Sequence, residues 1–110
     1  MKQKDIWLTD LNPTTGSEIW GKRPVVIISG DAMNDHQNLK IVCPITSSIK
    51  QLMGCVVLQK NEQNGLEKDS EIVTWQVRAI DESRLIHKIG EVSDEQLAVI
   101  KTGLQKILTY

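Results

Sequence analysis

Short strand-forming runs, separated by clusters of turn formers, fill the chain up to residue 90, and a single amphipathic segment follows them. That order constrains the fold more than any one motif. Residues 5–10 read as a short strand carrying Trp7, and residues 12–17 as a loop rich in Asn, Pro, Gly and Ser. Residues 24–29 are a β-branched run without alternation, which predicts a strand covered on both faces. Gly30 and Asp31 end it, and residues 31–37 are polar enough for a loop or one helical turn. A strand is expected over 39–45, where Pro44 predicts an edge position or a bulge. A connection spans 46–53, and further strands are expected over 55–59 and 71–75. Between those two lies a polar stretch, 60–68, with an Asn64-Gly65 turn signal. Residues 77–81 read as a short helical turn, and 85–89 as a last strand stopped by Gly90.

The final segment is the clearest helix. Ser93 can cap it, Gln96 completes a capping box, and Asp94 and Glu95 suit the positive end of the helix dipole. Leu97, Ile100, Leu104, Ile107 and Leu108 recur at helical spacing and predict a packing face. Strands at short spacing with one terminal helix predict a mainly β fold: a small, bent antiparallel barrel with a C-terminal α-helix.

At 110 residues the chain has room for one core, so residues 1–110 are expected to form a single domain. Its longest aliphatic run, Val25-Val26-Ile27-Ile28, is far below the roughly 18 residues a membrane span needs. The start, Met1-Lys2-Gln3-Lys4-Asp5, lacks a signal-peptide core, so a soluble, cytoplasmic protein is expected without membrane attachment. Cys43 and Cys55 lie in apolar stretches and read as reduced core thiols. His36 and His87 have no second ligand at motif spacing, so neither a metal nor another cofactor is expected. A net charge of −1 argues against coating nucleic acid through bulk electrostatics, yet permits a local basic groove.

Three segments can carry chemistry. In the first, Gly16-Ser17-Glu18-Ile19-Trp20-Gly21-Lys22-Arg23-Pro24, proline holds Arg23 extended at the mouth of a strand. Gly16 and Gly21 bracket an excursion able to bring Glu18 near Arg23. A fixed guanidinium beside a carboxylate suits phosphate handling, although the same spacing fits an ordinary surface pair. The second, Thr46-Ser47-Ser48, offers hydroxyl donors to phosphate and also fits a plain loop. In the third, Trp75 can stack on a base and Gln76 can read a base edge. Arg78 and Asp81 there read as ties for a local turn.

In order and at this length, these segments resemble the MazF/PemK family of toxin–antitoxin ribonucleases over nearly the whole chain. The resemblance rests on Asp5-Ile6-Trp7-Leu8, Asp10-Leu11-Asn12-Pro13, Gly16-Ser17-Glu18, and Arg23 through Ser29. It continues in Pro44-Ile45-Thr46-Ser47, Gln76-Val77-Arg78 with Ile80-Asp81, and Ser83-Arg84-Leu85. It implies a bent SH3-like barrel that works as a homodimer and cuts single-stranded RNA without metal, leaving a 2′,3′-cyclic phosphate and a 5′-hydroxyl. The implied partner is a MazE-like antitoxin whose flexible tail covers the RNA groove, with promoter DNA bound only together with that antitoxin. By position, Arg23 matches the catalytic arginine, Glu18 the acid-base carboxylate, and Thr46 the phosphate-contacting threonine. Asn12, Pro13, Ser17, Ser47 and Gln76 match positions around the RNA groove, and Trp20, Lys22 and Trp75 adjoin them. One departure stands out: Trp75 occupies a position that is acidic in many relatives, so the proton-accepting role falls to Glu18 or is shared with a substrate phosphate or water. Arginine donates protons poorly, so Arg23 is expected to stabilise the transition state electrostatically. The same fold without activity would be an RNA- or DNA-binding module, and a related architecture serves gyrase poisons.

Overall fold

The backbone of residues 1–110, taken from a computed structural model, is organised around one bent antiparallel sheet. Its strands are β1 (Asp5–Asp10), β2 (Lys22–Ile27), β3 (Leu39–Thr46), β4 (Val56–Leu58), β5 (Ser70–Ile72), β6 (Arg78–Asp81) and β7 (Leu85–Glu91). Two helices, α1 (Asp31–His36) and α2 (Asp94–Thr109), complete it, with 3₁₀ turns at Thr74–Gln76 and Glu82–Arg84. The strand path runs β4-β5-β3-β2-β1-β7, and β6 pairs beside it on the first half of β3. The barrel expected from the sequence is therefore open: β4 and β7 end the path without pairing to each other.

Both faces of this sheet are covered, which explains the uninterrupted apolar run in β2. Val26 joins Ile6, Cys43, Ile45 and Ile72 in one cluster, under Leu97 and Ile100 of α2. Its neighbours Val25 and Ile27 join Leu11, Val42, Ile80 and Leu85 in a second cluster on the other face. Each fully buried aliphatic side chain contributes about 1.5–3 kcal/mol relative to exposure. Burial also pushes the Cys43 thiol up to about 12, and neither cysteine forms a disulfide.

Five local expectations change. Residues 77–81 are no helical turn: Arg78–Asp81 pairs with Leu39–Val42, and that ladder satisfies the backbone that a local turn would otherwise satisfy. The strand expected through residue 75 stops at Ile72, where the chain leaves β3 for the 3₁₀ turn. Pro44 sits in an interior strand. Its carbonyl accepts from Val73 N–H at 2.8 Å, so its missing N–H faces the gap where β3 changes partner from β6 to β5. Gly90 lies inside β7, where an added Cβ would strike the Asn64 backbone. The capping box on α2 forms as expected, but Leu108 is 85% exposed and drops out of the packing stripe.

Lys40 is a buried cation on β3 that the pattern did not reveal. Its ammonium donates to Asn34 O, Gln37 O and Glu82 Oε2 at 3.0, 2.6 and 3.1 Å, filling its donor capacity and tying α1 to the sheet. Two carboxylates are held below the usual value of 3.8: Asp31 by the Gln3 N–H, and Asp81 by the Ser83 hydroxyl and N–H. Their stabilisation is present above the unfolded pKa and is lost as pH falls through the lower folded one. Carboxyl NMR titration should find both midpoints below 3.8; ordinary midpoints would remove these hydrogen bonds from the account.

Candidate active site

The site forms where the second apolar face runs out and becomes polar. On β1 and β2, Thr9 stands opposite Arg23. The β2–β3 ladder ends at Val25 and Pro44, and alternation along each strand puts Arg23 and Thr46 two residues beyond that pair on the same face. Thr46 pairs with Glu71 on β5, and Glu71 with Val57 on β4. Residues directly opposite in a sheet share a face, so Thr9 with Arg23 forms one set and Thr46, Glu71 and Val57 form a row beside it.

Arg23 is partly buried, and its Nε donates to Trp20 O at 3.2 Å. That bond steers the guanidinium toward the loop joining β1 to β2. The loop begins and ends on Asn12, whose side-chain oxygen accepts from Gly21 N–H at 3.2 Å. Gly21 needs its positive φ of 81° to make that return. Ile19 anchors the loop by packing against the second apolar cluster.

Residues distant in sequence hold the loop from below. Gln76 accepts from Ile19 N–H at 2.6 Å and donates to Ser17 O at 3.3 Å, so both ends of its amide position the loop. Arg84 Nη1 donates to Asn12 O at 2.8 Å. Glu18 is 51% exposed and lies 3.8 Å from Arg78, while Arg23 makes no ion pair within 4.0 Å. The expected Glu18–Arg23 pairing is thus replaced by Glu18–Arg78. Lys22, Arg23, Arg78 and Arg84 gather around this loop, giving a basic locality on a chain of net charge −1. Gln76→Ala should free both loop contacts and lower activity by about tenfold while costing about 1–2 kcal/mol of stability. An unchanged cleavage rate would show that the loop needs no such anchor.

Other sequence candidates fall at the rim. Pro13, Ser17, Trp20, Lys22 and Ser47 are exposed. Thr46 Oγ1 accepts from Ser48 N–H at 3.1 Å, folding the hydroxyl loop back on the strand end. Trp75 stands apart from Gln76 despite their adjacency. Its Nε1 donates to Met53 O at 2.7 Å, and it lines a shallow groove with Ile107 and Tyr110. It therefore faces the C-terminal helix, while Gln76 faces the loop. No cluster of three or more His, Cys, Asp or Glu has the geometry to hold a metal ion.

A bent open sheet with cations gathered around the loop at its polar end, and a C-terminal helix over its apolar face, describes a small mainly β protein. The family is settled by comparison: residues 2–108 match the model of the PemK-like, MazF-like toxin of type II toxin–antitoxin systems, and the chain belongs to that family. Among curated relatives, the endoribonuclease EndoA of Bacillus subtilis is 37% identical over 106 residues, covering 96% of this chain and 91% of the relative. The endoribonuclease MazF of Staphylococcus saprophyticus is 36% identical, covering 94% and 88%. The crystal structure of MazF from Deinococcus radiodurans superposes with a TM-score of 0.82 at 26% identity, covering 99% of this chain and 96% of that one. No helix here is long and apolar enough to cross a membrane.

Proposed function

We propose that this protein is the toxin of a toxin–antitoxin pair and cuts single-stranded RNA as a metal-independent endoribonuclease. The observation that supports the reading is the hold on the loop beside Arg23: Arg23 bonds Trp20 O, while Gln76 and Arg84 anchor Ser17, Ile19 and Asn12. The fixed guanidinium supplies charge to the crowded phosphorane, where preorganised electrostatics act most strongly. The Thr46 hydroxyl donates to a phosphate oxygen, and Ser47 extends that contact. Glu18 is the rim carboxylate available for proton transfer. Cleavage through the neighbouring 2′-hydroxyl leaves a 2′,3′-cyclic phosphate and a 5′-hydroxyl. Asn12, Pro13, Ser17, Trp20 and Lys22 line the path of the strand.

The working form is a cytoplasmic homodimer, and an antitoxin with a flexible acidic tail competes with RNA for the cations around the loop. Promoter DNA is engaged only through the toxin–antitoxin complex. Purified protein incubated with mixed single-stranded RNA in EDTA should cleave it, and the co-expressed antitoxin should stop the cleavage. Binding without cleavage would make the chain an inactive module of the same fold.

A further inference from the structure

The row that holds Thr46 also holds a carboxylate with an unusual environment. Glu71 is 2% exposed, although its row neighbours are partly open: Val57 is 43% exposed. One of its oxygens accepts from Lys50 N–H at 3.0 Å, and the other, Oε2, has no partner at all. No lysine or arginine side chain bonds either oxygen. A buried acceptor without a donor is costly, and such groups persist mainly where something else requires them. The polar group that completes this one is therefore expected to be a hydroxyl or amide donor brought by a ligand.

The cover over Glu71 is lightly attached. Residues 47–53 are exposed throughout. The Lys50 N–H bond to Glu71 ties down the middle of this loop, and the Trp75 indole on Met53 O ties its far end. Ser48 N–H on Thr46 Oγ1 ties the near end, so lifting the Lys50 segment alone breaks one hydrogen bond and frees the carboxylate oxygen it held. Adjacent strands lie roughly 4.8 Å apart, so the Glu71 backbone is one spacing from Thr46. A phosphate held at Thr46 leaves its neighbouring ribose within reach of Glu71.

On the ribonuclease reading above, we propose that Glu71 is the proton acceptor for the attacking 2′-hydroxyl, uncovered when RNA lifts the 47–53 loop. Its Oε2 takes the 2′-hydroxyl proton as the 2′-oxygen–phosphorus bond forms. The phosphorus–5′-oxygen bond breaks, and the leaving 5′-oxygen takes a proton from water. Glu71 then returns its proton to solvent. Glu18, exposed and paired with Arg78, is free to relay the second proton.

Single-turnover cleavage of a defined single-stranded RNA pool by the Glu71→Gln variant tests this. The amide keeps an acceptor for Lys50 N–H, so the loop stays tethered, and only proton acceptance is lost. The expected result is a fall of about 10²-fold or more in rate, with unchanged affinity for the all-2′-deoxy version of the pool. Glu71→Ala should lose the rate similarly and regain part of it with added formate, which a purely structural role would not allow. A Gln variant that cuts at the wild-type rate, or an Ala variant without formate rescue, overturns the proposal while leaving the ribonuclease reading intact. An inactive wild-type protein overturns the ribonuclease reading itself, and this inference with it.

Discussion

Arg23→Ala should lower RNA cleavage by ~10³-fold or more while leaving a folded protein. The magnitude follows from the role: removing one preorganised charge from a developing oxyanion typically costs ~10²–10³-fold, and loss of phosphate binding adds to that. The fold survives because the guanidinium makes one hydrogen bond, to Trp20 O, and no ion pair. A single such bond is worth about 1 kcal/mol. Arg23→Lys should recover little, because an ammonium lacks the planar fork that spans two phosphate oxygens. Gel-based cleavage alongside a thermal melt checks both halves. Normal cutting by Arg23→Ala would remove Arg23 from the mechanism.

Gly103→Ala should destabilise the protein by about 2 kcal/mol, the reverse of its effect in an isolated helix. In a free helix the change gains about 1 kcal/mol, since glycine is the poorer helix former. Here Gly103 is buried where α2 crosses Gly54, and an added Cβ would overlap the Gly54 carbonyl. That carbonyl has little freedom to turn away, because it accepts from Thr74 Oγ1 at 3.0 Å and Gly54 itself has a φ of +82°. Overpacking of this kind costs about 1–3 kcal/mol, and backbone that has little room to yield puts the site at the upper end. Leu97 and Ile100 sit on the same helix, so their burial weakens with the shift. For a domain of this size the melting temperature should fall by ~10 °C. An unchanged or raised melting temperature would mean that the two backbones separate freely.

How much of this was legible in the sequence depends on whether the determining contact is local. The capping box of Ser93 and Gln96 is read within four residues, and it forms as expected. The β2 run announces burial on both faces because neither face of Val25 through Ile27 is polar. Residues 77–81 were misread because their strand state depends on Leu39–Val42, far away in the chain. Pro44 was misread for a related reason: a proline signals an unpaired side, and a change of partner within one strand supplies that side without an edge.

The site divides in the same way. Arg23 and Thr46 stand out through the family resemblance, and the excursion expected between Gly16 and Gly21 is part of a longer loop that closes on Asn12. The partners were not. Glu18 meets Arg78 because Gln76 and Ile19 fix the route of the loop, and no spacing within residues 16–24 encodes that route. Glu71 gave no signal at all. In Ser70-Glu71-Ile72-Val73 a glutamate reads as the solvent side of a strand, whereas β5 is paired on both edges and covered by the 47–53 loop.

Sequencing the cut ends of a defined single-stranded RNA pool, incubated with the purified protein in EDTA, tests the central claim most directly. Cuts confined to one short sequence, leaving 2′,3′-cyclic phosphate and 5′-hydroxyl ends, are the predicted result. No cuts, or ends bearing a 5′-phosphate, would contradict it, because Arg23 and Thr46 would then serve neither cleavage nor attack by the 2′-hydroxyl.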